Sequence, residues 1–418
     1  MIEELKSFPS KVNLELFDVI AFSKDKIREM FRAGKMPTSD AMVEEILLRA
    51  VKEGATDIHI EPAETELRLR LGYEGILKRL VTLPKEITDS ISNVLKQRAN
   101  LNAFEKKKPQ EGRFSMNYGA LQYDMRVSTV PTLFGERIAV RILHKTTRVA
   151  SIQEIGLSNE NLERIRKILR RPIGLLLVTG PAGSGKTTTV YAAVNEIQSP
   201  EKNVMTVENP VEYKLDFASQ VQTPADKSFS FADALRSILR QNPNVIMLGE
   251  IRDAETGIVA AEAALTGNLV LSTMLSTDAI GTIPRLFNLG IPSFWLGSTL
   301  TGVVYQQLIR RICESCKEEY QPDADELALL GKIELENPKF FRGKGCSQCQ
   351  QTGYKGRIAI HEVVTVDDVL KDLIYQQATY LKLKEAALAA GLEPIRIDAL
   401  KRVISGITTI AEYSRSVG

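Results

Sequence analysis

No apolar run in the chain approaches the ~20 residues needed to cross a bilayer, and the first residues, MIEELKSF, lack the apolar stretch of a signal peptide. These absences predict a cytoplasmic protein, peripheral to any membrane it serves. Charge of one sign is also lacking. Lys and Arg number 54 against 52 Asp and Glu, a net charge of +2, so no global basic field points to nucleic acid. Aromatic residues make up 6% and form no ladder interleaved with basic ones, the pattern that stacks single-stranded bases. Cysteine is missing from most of the 418 residues. All four lie between 313 and 349 as two C-x-x-C units, which in a cytosolic chain favours metal over disulfides. The remainder is ordinary for a globular protein, 44% hydrophobic and 25% charged, and is long enough for two or three domains.

The most informative stretch is IGLLLVTGPAGSGKTTTV, residues 173 to 190. Within it Gly180-Pro181-Ala182-Gly183-Ser184-Gly185-Lys186-Thr187 fits G-x-x-x-x-G-K-[ST] at every fixed position. An apolar run from Ile173 to Val178 predicts a buried strand, the glycines a turn that exposes backbone N–H groups, and Lys186-Thr187-Thr188 the start of a helix. That arrangement is an anion cradle: Lys186 reaches the β/γ-phosphates and the Thr187 hydroxyl can ligate Mg²⁺. The expected ligand is a nucleoside triphosphate. Strands over Asn203 to Val207, Asn244 to Leu248 and Asn268 to Thr273, separated by helices, predict a parallel sheet buried on both faces. Ligands of such sheets bind at the strands' C-terminal ends, where Glu208 and Glu250 fall. Glu250 fills the Walker B place as a metal-shell and water-positioning carboxylate, and Glu208 is the second candidate, as general base.

Upstream, Thr38-Ser39-Asp40 opens a helix through Lys52 with Met42, Val43, Ile46, Leu47 and Ala50 on one face. Alternating strands and a second helix follow, completing an α+β unit over 38–145. Residues 1–37 read as a short helical segment with Leu14, Leu16, Phe17 and Ile20 as packing residues. A linker is expected over 146–158 and an ATPase domain over 159–418, including a cysteine module at 305–357 and a helical part at 358–418. Cys313-x-x-Cys316, a 29-residue spacer and Cys346-x-x-Cys349 put four thiolates within reach of one tetrahedral ion, the spacing of structural Zn²⁺. Arg126 and Arg141, read alone, are solvated or salt-bridged arginines of the first unit.

The segments ATDIHIEP, RVSTVPTLFGERIAVRIL, GPAGSGKTTT, TVENPVEY, LRSILRQNPNVIMLGEIRDAET, TGNLVLST and GYKGRIAIHEV together resemble the type II secretion and type IV pilus ATPases. The resemblance implies a RecA-like parallel-sheet P-loop domain preceded by a smaller PAS-like α+β domain, with a four-cysteine zinc insert and a helical C-terminus. It also implies a homo-hexamer that hydrolyses ATP to power pseudopilus or pilus assembly, peripheral to the inner membrane and served by a platform protein there. Lys186 and Thr187 match the Walker A ligands, Glu250 the Walker B acid, Glu208 the acid of the Asp box, and Arg126 and Arg141 the arginines that reach the phosphates from the first domain. Arg236, Arg240, Arg252 and Arg285 match other arginines of the family. Asn268 and Leu275 stand where the family has histidines, and Asn209, Asn242 and Asn244 where it has Asp, which predicts a slow or partner-activated ATPase. Only 37 residues precede the shared region, so a truncated chain or a short family member is expected. A hexameric nucleic-acid translocase and a slow nucleotide-gated scaffold are the alternatives.

Overall fold

A computed structural model describes residues 37–119, 121–144, 148–224, 228–330 and 338–417, which form two compact units divided between Thr146 and Thr147. The N-terminal helical segment, with Leu14, Leu16, Phe17 and Ile20, falls outside the described residues but for its last position.

The first unit begins with α1 (Ser39–Lys52), whose N-terminus is capped by the Thr38 side chain accepting from the Ala41 N–H. Its buried stripe contains the Met42, Val43, Ile46, Leu47 and Ala50 expected from helical spacing. Strands β1 (Asp57–Pro62), β2 (Glu66–Tyr73) and β3 (Ile76–Pro84) lead to helix α2 (Thr88–Arg98), then to β4 (Gln110–Tyr118), β5 (Leu121–Thr132) and β6 (Gly135–His144). The six strands form one antiparallel sheet in the order β3-β2-β1-β6-β5-β4. Period-two alternation sends Leu67, Leu69 and Leu71 of β2 into a core shared with α1 and α2. A buried Lys96–Glu136 ion pair (2.7 Å) ties α2 to the start of β6.

In the second unit the expected linker is part of the core, for Ile152 and Ile155 are buried in it. Next come α3 (Asn159–Leu169), β7 (Gly174–Thr179), α4 (Lys186–Ile197), β8 (Val204–Glu208), β9 (Ala218–Gln222) and α5 (Phe231–Ile238). They are followed by β10 (Val245–Leu248), α6 (Ala254–Leu265), β11 (Leu269–Met274), α7 (Thr282–Asn288), α8 (Ser293–Thr299) and β12 (Leu300–Ile312). Then β13 (Lys317–Tyr320), α9 (Ala324–Ala328), β14 (Phe340–Gly343) and β15 (Tyr354–Thr365) precede four C-terminal helices, α10 (Asp368–Tyr375), α11 (Tyr380–Ala389), α12 (Ile395–Ile404) and α13 (Ile410–Val417).

The main sheet runs β15-β12-β7-β11-β10-β8-β9, parallel except for β15, which is antiparallel to β12. Leu175 and Leu177 of β7 enter one core cluster, Leu176 and Val178 the other, which is why this strand reads as an unbroken apolar run. Burying each such side chain contributes about 1.5–3 kcal/mol. Residues 305–312, grouped on sequence with the cysteine module, belong instead to β12 in the main sheet. The smaller sheet pairs β13 with β14. No described helix is long and apolar enough to cross a membrane.

The outer edge of β15 is covered, because the His361 N–H donates to the Asp398 carboxylate of α12 (2.9 Å). Helix α13 is anchored by fully buried Glu412, which accepts from the Arg310 backbone N–H (2.9 Å) and Nε (2.8 Å) and from Arg415 Nε (2.7 Å).

Candidate nucleotide site and cysteine centre

The turn after β7 is set by two glycines. Gly180 has φ +148°, and a Cβ there would lie 2.2 Å from the Gln306 carbonyl oxygen, so only glycine fits. Gly185 caps α4 in the left-handed region at φ 86°. Pro181, Ala182 and Gly183 are exposed at the loop's rim, Ser184 is buried beneath it, and Thr188 is half-buried on the first turn of α4. Lys186 Nζ bonds back to the Gly180 (3.1 Å) and Pro181 (2.8 Å) carbonyls. Burial lowers its pKa, and the nearby Glu250 carboxylate opposes that shift.

The loop borders a cavity of about 500 Å³, lined among others by Ala182, Lys186, Thr187, Glu208, Asn209, Glu212, Glu250, Arg252, Leu275 and Arg285. The structure therefore brings Lys186, Thr187, Glu208 and Glu250 together at the C-terminal ends of β7, β8 and β10. Their environments differ. Glu250 is partly exposed and takes one hydrogen bond, from Arg252 Nε (2.9 Å). Glu208 is buried, and its carboxylate accepts from the Tyr191 hydroxyl, Thr206 Oγ1 (2.6 Å) and Gln220 Nε2 (3.1 Å). Three donors from α4, β8 and β9 suit a brace between elements better than a base that collects a proton. Burial, reinforced by that carboxylate, raises the Tyr191 pKa. Glu212, four residues on, lines the same cavity and is less buried. The sequence reading passed over it, although the second acid of Glu208-Asn-Pro-Val-Glu212 was the available signal.

Arg252 and Arg285 line the cavity, whereas Arg236 and Arg240 do not. Arg236 pairs with Glu255 (2.8 Å) and Asp233 (3.6 Å) on the exposed face of α5, and exposed Arg240 reaches Ser237 Oγ (3.4 Å). The expected thinning of the site also needs correcting. Asn268 sits at the N-terminal end of β11, away from the site, where its Nδ2 donates to the Ala263 carbonyl (2.8 Å) at the end of α6. Asn242 and Asn244 lie at the same far end, where Asn203 bonds to the Asn242 carbonyl and to Asn244 Oδ1. They cannot orient Glu208 or a metal from there. Only Asn209 and Leu275 of the five departures face the cavity.

In the first unit, strand register places Arg126 opposite Arg141 on one side and Arg113 on the other. Arg141 reaches Asp57 (3.2 Å) and Arg126 lies 3.9 Å from Asp124. Like charges directly opposite on neighbouring strands are unfavourable, so three arginines in a row suit an anion. Arg113 was invisible to sequence reading because register, not spacing, puts it there.

The two cysteine knuckles leave the ends of paired strands, since Ile312 of β12 lies opposite Tyr354 of β15. All four Sγ atoms fall within 4.8 Å of one another. The separations Cys313–Cys346 (3.8 Å), Cys316–Cys349 (3.8 Å) and Cys346–Cys349 (3.7 Å) match the edge of a tetrahedron with metal–sulfur bonds of about 2.3 Å, and are far too long for disulfides. The donor set and its geometry thus fit a tetrahedral ion. Burial raises the Cys349 thiol's pKa, but the Cys346 and Gly353 backbone N–H groups that point at its Sγ (3.2 and 3.3 Å), together with the Cys346 and Cys316 thiols, outweigh it and hold that pKa below the usual thiol range.

A family model described as "Type II/IV secretion system protein" matches residues 33–415. The chain is 40% identical over 372 residues to the type IV pilus assembly ATPase PilB of Thermus thermophilus, an alignment covering 88% of this chain and 42% of that protein. It is 41% identical over 374 residues to type II secretion system protein E of Pseudomonas aeruginosa, and 40% identical over 374 to type II secretion system ATPase E of Vibrio cholerae. Each alignment covers 90% of this chain and 74% of the relative. Among solved structures, the Legionella pneumophila ATPase DotB matches with a TM-score of 0.64 at 20% identity, covering 90% of this chain and 94% of that one. The pilus retraction motor PilT with bound ADP matches at 0.58 and 24%, covering 89% and 96%. These likenesses agree with the mixed α/β, parallel-sheet fold expected from the sequence.

Proposed function

The chain belongs to the type II/IV secretion system protein family, and from that premise we propose that it hydrolyses ATP to drive assembly of a pseudopilus or pilus for protein secretion. The observation that carries this reading is the intact phosphate loop, with Lys186 and Thr187 facing Glu250 and Glu212 across one cavity. Lys186 neutralises the β/γ-phosphates, and the residues from Gly180 to Thr188 cradle them. The Thr187 hydroxyl and Glu250 would hold Mg²⁺, which supplies charge neutralisation when bound. Glu212 orients the attacking water together with Glu250, while Glu208 braces the end of β8, from which the segment carrying Glu212 departs. Arg252 and Arg285 bring positive charge to the same wall, and Arg113, Arg126 and Arg141 form an anion-binding row on the first unit. Arg236 and Arg240 serve contacts outside this cavity.

Zn²⁺ is our reading of the four-cysteine centre, where Cys313, Cys316, Cys346 and Cys349 leave no open coordination position and the ion acts structurally. In the same reading the motor is a homo-hexamer on the cytoplasmic face of the inner membrane, docked on a platform protein there, and nucleic acid is not a partner. The domain scheme is a PAS-like unit over 38–145 and a RecA-like unit that takes in the expected linker and runs over 147–418. Multiple-turnover ATP hydrolysis by the wild-type chain, set against Lys186→Ala and Glu250→Gln, tests the proposal. Loss of roughly 100-fold or more in both variants is expected. A wild-type chain that hydrolyses no ATP, or variants that match it, would overturn the motor reading.

A further inference from the structure

We propose that Gln306 is a positioning residue that sets the shape of the phosphate loop for nucleotide binding, an inference that rests on the nucleotide-site reading above. Gln306 lies on β12, immediately after the Tyr305 that pairs with Thr179 at the end of β7, and is therefore level with Gly180. It is 1% exposed. Its Nε2 donates to the Ser184 carbonyl (2.6 Å), in the middle of the loop. Its backbone oxygen occupies the space a Gly180 side chain would fill, and its Nε2 lies 3.2 Å from where a Gly185 Cβ would be. One residue thus touches the loop both at its first glycine and at Ser184-Gly185, where it enters α4.

The consequence follows from peptide geometry. In a trans peptide the C=O and the following N–H point in opposite directions. A donor that draws the Ser184 carbonyl towards β12 therefore turns the Gly185 N–H away from β12, the orientation an anion in the cradle requires. The local polar inventory agrees with a functional role. Gln306 Oε1 and Ser184 Oγ are both buried without a hydrogen-bond partner. An apolar side chain of equal size at 306 would avoid the orphaned Oε1, so the amide there is best explained by the one bond its Nε2 makes. Gln307, its neighbour, instead donates to the Tyr305 hydroxyl (2.5 Å) and makes no contact of this kind.

The test compares the full chain with Gln306→Met, which keeps the shape and removes the donor, Gln306→Glu, which replaces the donor with a carboxylate, and Gln307→Met as a neighbouring control. ADP affinity, KM for ATP, kcat and thermal midpoint are measured for each. Both Gln306 variants should raise the ADP Kd and the KM for ATP at least tenfold, with kcat changed by less than threefold and the midpoint near wild type. Gln307→Met should match wild type in KM and Kd. A Gln306→Met chain that is folded yet binds ADP with wild-type affinity overturns the inference, as does a KM change that merely follows a loss of folded protein. If neither Gln306 variant folds, Gln306→Asn, which keeps the amide but draws it back from the Ser184 carbonyl, decides: a folded chain whose ADP Kd rises at least tenfold supports the inference, and wild-type affinity sinks it. Failure of the underlying reading looks different, because the wild-type chain would then bind no nucleotide at all.

Discussion

The two acids of Glu208-Asn-Pro-Val-Glu212 show how environment divides labour between like side chains. Glu208 has its carboxylate taken up by Tyr191, Thr206 and Gln220, whereas Glu212 lines the cavity with less burial. Glu212→Gln should lower kcat about 10²-fold while leaving the ADP Kd unchanged. Glu208→Gln places a new donor against Tyr191 and Gln220, so its main effect should be a lower thermal midpoint, by roughly 2 kcal/mol of stability. If Glu208→Gln leaves the midpoint alone and Glu212→Gln leaves kcat alone, these assignments are reversed. Leu275, 40% exposed on the cavity wall, has no polar side-chain atom to offer. Leu275→His should raise basal hydrolysis severalfold, and an unchanged rate would remove this position as the limit on turnover. Asn268 carries the lesson of position over identity: its substitution suggested a weakened site, but it lies at the other end of β11.

Among elements, those with a periodic apolar pattern were legible in sequence. Helix α1, strands β1 and β2 and the four strands β7, β8, β10 and β11 could be read because burial alternates on one face or fills both. Strand β9 was not, since ASQVQ at the sheet edge carries almost no apolar signal. Strand β12 was missed in part because Gln306, Gln307, Arg310 and Arg311 interrupt it, and Gln306 and Arg310 find their partners, Ser184 and Glu412, only through tertiary contacts. The last of these contacts is testable. Glu412→Ala leaves Arg310 without its buried partner and should cost about 3–5 kcal/mol, seen as a fall of roughly 10 °C in thermal midpoint. A fall under about 2 °C would mean that α13 is held by its apolar contacts alone. At the cysteine centre, a strong chelator should lower the midpoint and loosen β13 and β14, with ADP still bound by the chain that remains folded. Loss of ADP binding in a fully folded chain would show that the centre supports the loop directly.

At the scale of the whole molecule, two buried groups on β15 give stability opposing pH dependences. His361 is fully buried, and burial, aided by the Arg402 charge, holds its pKa down at about 3 against 6.5 unfolded. The unfolded chain then binds the extra proton, so this contribution is lost as pH falls from 6.5 towards 3. Glu362 is pushed up to about 7 from 4.5, first by burial and then by the Asp278 carboxylate, so its contribution is lost as pH rises from 4.5 to 7. In wild type the two slopes partly cancel. Each variant should expose the other: the midpoint of His361→Gln relative to wild type should climb on acidification, and that of Glu362→Gln should climb as pH rises to 7. Parallel midpoint curves for all three chains would refute both assignments. Neither group could be identified as buried from sequence, because burial here depends on α12 closing over the sheet edge.

Strand β12 also fixes a length. Gln306 touches the loop, and Cys313, the first of the four clustered cysteines, follows seven positions on, immediately after the strand ends, with an irregularity in the pairing between Arg310 and Ile312. In an extended strand a single inserted residue turns every later side chain to the opposite face. The interval from 306 to 313 therefore works as a ruler between two sites of different chemistry, and its residue count is constrained even where the identities of the residues in it are not.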